Sequence, residues 1–162
     1  MRLSSENKLV SLSQLTRRVK QKRKSGKKVV FTNGCFDILH LGQVRYLQKA
    51  RALGDVLVVG LNTDASVRAL KGRDRPVTHE KDRAAVLAAL ACVDYVLLFS
   101  ERTPERLIRA LRPDFLVKGG DWKPKDIAGG PFVASYGGRV RSLPFVRGFS
   151  TTALLKKIKK IG

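Results

Sequence analysis

Apolar positions along this chain alternate between two spacings, and the switches between them mark the elements. Leu9, Leu12, Leu15 and Val19 recur at helical spacing, with Ser11 or Ser13 placed to cap them, and predict an amphipathic helix running toward Gly26. Lys27–Phe31 is a short β-rich run and predicts the first strand. From Gly42 onward Val44, Leu47, Ala50 and Leu53 return to helical spacing, with His40 at the start of that helix. The continuous run Val56-Leu57-Val58-Val59 within 55–62 predicts a second strand covered on both faces. A helix between two such strands makes their pairing parallel.

The pattern continues downstream. A short helix is expected from about Asp64 to Leu70, then a basic loop from Lys71 to Pro76, then an alanine-rich helix from Arg83 to Ala91. Tyr95–Phe99 reads as a strand, and Thr103-Pro104-Glu105 opens another helix with a cap and a proline in the favoured places. Pro113–Lys118 is the fourth strand, ending in Gly119-Gly120-Asp121. Phe132–Tyr136 predicts a brief helix, Gly138–Pro144 the fifth strand and Thr151–Ile161 the closing helix. Strand and helix alternate throughout, which predicts a Rossmann-like three-layer α/β/α sandwich on a mostly parallel five-stranded sheet. We expect one domain over 1–162, with a basic N-terminal helix (1–27) preceding the α/β core (28–162). Ligands in such a sheet bind at the carboxyl ends of the strands.

Length and composition narrow the class. At 162 residues and 43% hydrophobic composition the chain has enough apolar material for one core and too little for two. No apolar stretch approaches a bilayer span, and the basic N-terminus lacks the apolar segment of a secretory signal, so a cytoplasmic protein without a membrane partner is expected. Cys35 and Cys92 have no Cys-x-x-Cys or histidine-rich company and read as reduced thiols rather than zinc ligands. The formal charge of +20 favours polyanionic ligands of any kind. Its densest clusters, Arg17–Lys28 and Lys156–Lys160, contain no aromatic residue, which suits solvated helix faces better than a platform for stacked bases, so nucleic acid is not the expected partner.

Candidate chemistry concentrates where the first strand gives way to its helix, in Phe31-Thr32-Asn33-Gly34-Cys35-Phe36-Asp37-Ile38-Leu39-His40-Leu41-Gly42-Gln43. A turn of this kind presents backbone N–H groups and a helix N-terminus to polyphosphate. Gly34–Gln43 resembles the G-x-F-D-x-x-H-x-G-H signature of the nucleotidyltransferase superfamily, which transfers a nucleoside monophosphate from an NTP to a phosphate or carboxylate. Every position fits except the last, where Gln43 replaces the second histidine. Gly148-Phe149-Ser150-Thr151-Thr152 resembles the S-T-T motif that closes the nucleotide site in that superfamily. Lys118-Gly119-Gly120-Asp121, with Asn62–Arg68 and Asp82–Leu87, narrows the resemblance to the D-glycero-β-D-manno-heptose 1-phosphate adenylyltransferases. The order of motifs matches from Val29 to Ile158.

The resemblance implies AMP transfer from ATP to heptose 1-phosphate, giving ADP-heptose and pyrophosphate for lipopolysaccharide core synthesis. His40, Gln43 and Lys118 are then the catalytic positions. Asn33, Gly34, Cys35, Phe36, Gly42, Gly120, Asp121, Gly148, Ser150, Thr151 and Thr152 join them around the nucleotide. Asp37, Asn62, Asp64, Arg68 and Arg75 face the acceptor, and Phe36 and Trp122 either pack or floor a base or sugar. Mg²⁺ is expected on the triphosphate, held by substrate oxygens rather than by a protein metal site. A homodimer or higher homo-oligomer is expected, either as a stand-alone enzyme or as a domain excised from a sugar-kinase fusion. Because Gln43 cannot carry an imidazolium charge, slowed turnover with retained ATP binding is expected. Two other readings stay open: a glycerol-3-phosphate-type cytidylyltransferase, and a catalytically degenerate protein that binds nucleotide or nucleic acid.

Overall fold

The structure, a computed structural model, describes residues 4–120, 122–144 and 148–161. Its sheet has five strands among these residues, β1 (Val29–Gly34), β2 (Val56–Asn62), β3 (Tyr95–Phe99), β4 (Phe115–Gly119) and β5 (Arg139–Leu143). They lie in the order β3-β2-β1-β4-β5, and every neighbouring pair is parallel. The expected sheet is therefore observed, and the order in which the chain adds strands reverses between β1 and β4. Such a reversal opens a crevice beyond the carboxyl ends of the two strands.

Helices α1 (Ser5–Lys8), α2 (Leu12–Lys24), α3 (Leu41–Arg51), α4 (Asp64–Lys71), α5 (Glu80–Ala89), α6 (Glu105–Leu111), α7 (Gly130–Ser135) and α8 (Thr151–Ile158) connect and flank the strands. Successive strand residues point to opposite faces, so the sheet divides the core in two. Val29, Phe31, Val56 and Val58 pack with Leu15 and Val19 of α2, Leu107, Ile108 and Leu111 of α6, and Val133 of α7. Val30, Leu57, Val59 and Leu61 pack on the other side with Leu47 and Ala50 of α3 and Ala84, Leu87 and Ala88 of α5. Burial of all seven residues of β2 explains its uninterrupted apolar run.

Local chemistry shifts several expected boundaries. The N-terminal segment is two helices rather than one, because Ser11 and Gln14 form a reciprocal capping box that starts α2 at Leu12. Leu9 and Val10 are thereby free to extend along β3, where Leu9 bridges to Val96 and the Val10 N–H donates to the Val96 carbonyl at 3.1 Å. That contact covers an otherwise open sheet edge. Helix α5 begins at Glu80 rather than Arg83, since His79 caps it by accepting the Lys81 N–H. Pro104 is itself the N-cap of α6, and no side chain caps that helix. A 3₁₀ turn at Pro124–Asp126, not anticipated from the pattern, leads into α7. No helix among the described residues is long and apolar enough to cross a membrane.

Candidate active site

Strand ends β1, β2 and β4 and the N-termini of α3 and α8 surround one cleft of about 660 Å³. Asn33, Gly34 and Cys35 enter it from the end of β1, Asn62 from β2, and Lys118 and Gly119 from β4. His40, Gly42 and Gln43 face it from the start of α3, and Ser150, Thr151 and Thr152 from the start of α8. Residues separated by more than a hundred positions are thus gathered at the predicted rim. Phe36 and Asp37 also line it, as do Arg75 and Trp122.

The start of α3 is held by a reciprocal pair. His40 is its N-cap: His40 Nδ1 accepts the Gln43 backbone N–H at 3.4 Å, and Gln43 Oε1 accepts the His40 backbone N–H at 3.3 Å. With Nδ1 serving as an acceptor, the proton of the neutral ring belongs on Nε2. Burial holds the His40 pKa below its ordinary 6.5, which favours that neutral form. The Phe149 ring stacks near His40, with centroids 6.3 Å apart and planes inclined by 18°. Glycine is needed at 42 because a Cβ there would sit 2.8 Å from Phe149 Cβ. Phe36 is left-handed at φ 42°, a conformation seldom held by a bulky residue and tolerated here in a turn packed into the core. At the other helix start Ser150 Oγ accepts the Ala153 N–H at 3.0 Å, leaving the Thr151 and Thr152 hydroxyls at the cleft wall.

Lys118 is a partly buried cation of the site. Burial pushes its ammonium below the usual lysine range; the nearby Cys35 thiol opposes that shift and Lys71 adds to it. Lys71, at the end of α4, lines the same cleft, as does Arg102 in the loop after β3. Two amines that repel each other across a cleft provide a favourable field for a polyanion. Lys71 and Arg102 are not singled out by the sequence, because basic residues are abundant throughout the chain and Lys71 reads there only as the first residue of a basic loop. Tyr46 of α3 is not singled out either; its hydroxyl lies 2.6 Å from Thr32 Oγ1, and burial pushes its pKa up to about 12.

Several predicted acceptor residues have other partners. Asp37 is 3% exposed and receives Arg75 Nε at 2.5 Å and the backbone N–H groups of Val77 and Thr78 at 2.8 and 3.0 Å. It ties the basic loop to the signature turn. Asp64 is not part of the cleft lining; its carboxylate accepts Arg83 Nη2 at 2.7 Å and lies 3.3 Å from His79 Nε2. Arg83 is 2% exposed and also donates to the carbonyls of Thr78 and Cys35, so it braces the turn from below. Arg68 is exposed on α4 and does not line the cleft. Asn62 does line it, but its amide donates to Ser66 Oγ at 2.9 Å. Gly120 (φ 111°) and Gly148 (φ 84°) shape the backbone beside the cleft without lining it. Asp121 lies outside the described residues. Cys35 lines the cleft and Cys92 does not; both are free thiols. Among the described residues no group of three His, Cys, Asp or Glu side chains is arranged to hold a metal ion.

Known proteins are similar to this chain. The bifunctional protein HldE of Geotalea uraniireducens is 56% identical over 155 residues, covering 96% of this chain and 32% of the relative. That of Syntrophotalea carbinolica is 60% identical over 136 residues, 84% of this chain and 28% of the relative. The chain thus spans about a third of the length of the curated relatives it matches. Among solved structures, the lipopolysaccharide core biosynthesis protein of Thermoplasma volcanium superposes with a TM-score of 0.62 at 28% identity, over 75% of this chain and 98% of that one. Pantothenate synthetase of Thermus thermophilus, at 16% identity and a TM-score of 0.63 over 99% of this chain and 70% of that one, shares the fold. The cytidylyltransferase-like family model matches residues 31–130. Because that match runs from the first strand past Lys118, taking in the His40 turn and the strand ends that meet it in the cleft, the chain belongs to the cytidylyltransferase-like family.

Proposed function

We propose that this domain transfers AMP from ATP to D-glycero-β-D-manno-heptose 1-phosphate, releasing pyrophosphate and forming ADP-heptose for lipopolysaccharide core synthesis. The observation that carries the reading is the meeting of His40, Lys118 and the Ser150–Thr152 helix start in one cleft. Its acceptor is supported by the HldE relatives and by the likeness to a lipopolysaccharide core biosynthesis protein.

An oxygen of the acceptor phosphate attacks the α-phosphorus of ATP in line, and the bond to the β-phosphate oxygen breaks. The acceptor is already ionised, so no general base is required. Asp37, buried and committed to Arg75 and two backbone N–H groups, is a brace for the site rather than a base. Catalysis rests on positioning and on neutralising charge as pyrophosphate leaves. His40 donates from Nε2 to an α- or β-phosphate oxygen, and Lys118 and Lys71 balance the negative charge. The N-termini of α3 and α8, with the Thr151 and Thr152 hydroxyls, hold the β- and γ-phosphates. Gln43 keeps its amide N–H groups for phosphate while its oxygen caps His40.

Mg²⁺ fits this site as an ion carried by the triphosphate, where it would neutralise phosphate oxygens that also meet Lys118 and His40. We infer that the reaction is cytoplasmic and expect a homodimer or higher homo-oligomer.

A pyrophosphate-release panel crossing ATP and CTP with heptose 1-phosphate and glycerol 3-phosphate tests the reading. Turnover confined to ATP with heptose 1-phosphate is expected. Preference for CTP with glycerol 3-phosphate would replace it with the cytidylyltransferase alternative, and ATP binding without turnover on any pair would replace it with the degenerate one.

A further inference from the structure

Helix α8 begins in the cleft and ends in solvent. Its first turn contributes Thr151 and Thr152 to the cleft wall, yet none of its residues is buried. The helix ends at Ile158, short of the expected Ile161; within it, at 100° per residue, Leu154, Leu155 and Ile158 fall on one side and Lys156 and Lys157 on the other, and Lys159, Lys160 and Ile161 follow, all exposed, in the turn beyond. The apolar stripe leaves the protein as it runs: Leu154 and Leu155 are half-buried, Ile158 is 59% exposed and Ile161 is 78% exposed. No acidic residue lies between Ser150 and Ile161. The arrangement separates a continuous aliphatic ridge from a purely cationic flank, on a helix whose opposite end belongs to the site.

We propose that the outer turns of α8 dock this protein on an anionic lipid bilayer. Segregated lysines and aliphatic residues on a short helix are the features that place a helix in the headgroup plane, its apolar side in the acyl boundary and its amines at the phosphates. Each lysine near an anionic surface adds to the attraction, and the +20 charge of the whole chain favours the same approach. A second copy fits the ridge less well. Four aliphatic side chains, two already half-buried, fall well short of the ~800 Å² per partner typical of a stable interface, and each copy brings the same charge. Docking of this kind is peripheral and is compatible with the absence of a membrane-crossing helix among the described residues.

Flotation of the whole chain with vesicles of phosphatidylglycerol and phosphatidylcholine, beside vesicles of phosphatidylcholine alone, tests the proposal. The comparison variant is Ile158→Ser with Ile161→Ser, which preserves every charge and alters two exposed positions outside the cleft. We expect co-flotation with the anionic vesicles only, at physiological salt, and at least a tenfold lower partition for the double variant with unchanged pyrophosphate release. Equal partition of the double variant would reduce the effect to bulk charge and overturn the proposal. Failure of the wild-type chain to float would overturn it directly. A concentration-dependent dimer in sedimentation that the double variant abolishes would give the ridge to a second copy instead.

Discussion

His40 and Gln43 cap each other at the start of α3, each side chain accepting the other's backbone N–H. The residue that breaks the superfamily signature is therefore built into the geometry of the residue that keeps it. Gln43→His would supply an additional charge-assisted donor to the leaving pyrophosphate, an effect of about 2–4 kcal/mol where such donors have been removed from other sites. It would also disturb the cap, at a cost of about 1 kcal/mol in stability. We expect a turnover number raised at least tenfold and a melting temperature lowered by about 2–4 °C. Steady-state kinetics and calorimetry read both. A turnover number no higher than that of the parent chain would show that position 43 does not limit the chemistry.

Lys118 supplies a pH signature. Burial and Lys71 hold its pKa below the ordinary 10.5, so the protonated amine that the proposed reaction sets against the phosphates is lost as pH rises through that lowered value. Activity should fall on the alkaline side earlier than an exposed lysine would allow. Lys118→Arg, charged at every accessible pH, should flatten that limb at a reduced rate, while Lys118→Met should lose about a hundredfold or more in kcat/KM. A pH–rate profile of the arginine variant that keeps the wild-type alkaline limb would assign the limb to another group.

His40 responds at the acid end. Its folded pKa is depressed by burial, so the folded state binds protons less readily than the unfolded one. Any stability this contributes is present above pH 6.5 and is lost as pH falls from there through the folded value. Saturating ATP should raise the His40 pKa, because phosphate favours the imidazolium. With only two histidines in the chain, an NMR titration resolves the group against His79. A His40 pKa above 6.5 without nucleotide would contradict the buried, neutral ring.

Asp37 and Arg75 form an ion pair across the base of the cleft, with the Asp37 side chain only 1% exposed. Asp37→Ala strands the guanidinium and two backbone N–H groups, and should destabilise the fold by about 3 kcal/mol. Asp37→Asn, which retains an acceptor for Val77 and Thr78, should cost less. Hydrogen exchange at those two amides should accelerate in the alanine variant well beyond the rest of the chain. Uniform acceleration would mean that Asp37 does not specifically hold the 72–78 loop.

Asp64 separates a bracing role from an acceptor role. Its carboxylate belongs to Arg83, a buried guanidinium that also holds the carbonyls of Cys35 and Thr78. Asp64→Asn should lower stability by about 1–3 kcal/mol while leaving KM for the acceptor within about twofold. A large rise in that KM without a change in melting temperature would restore Asp64 to the acceptor site.

How far the sequence reached depended on whether a feature was local. The pattern located all five strands within a few residues: β2, buried on both faces, must be continuously apolar and a flanking helix must show its stripe, whereas β5, with no buried residue, is marked by the glycine and proline that bound it. The G-x-F-D-x-x-H turn and the Gly-Phe-Ser-Thr-Thr turn were legible for the same reason: glycine turns and helix caps are defined by adjacent residues. Boundaries moved where a cap intervened, as at Ser11 and His79.

What the sequence by itself determined is therefore the α/β architecture, the glycine turns and helix starts, and the family to which they point. Tertiary structure alone decided which polar residues reach the cleft. Asn62, Asp64 and Arg68 are nearly adjacent on the chain, yet only Asn62 lines it, because Arg83 arrives from α5 to claim the Asp64 carboxylate. Lys71 from the end of α4 and Arg102 from the loop after β3 line one cleft with Lys118, a convergence that no spacing encodes. The physical reason is range: backbone caps and apolar periods act over a few residues, whereas an ion pair or a cationic cleft depends on side chains that only the folded sheet brings together.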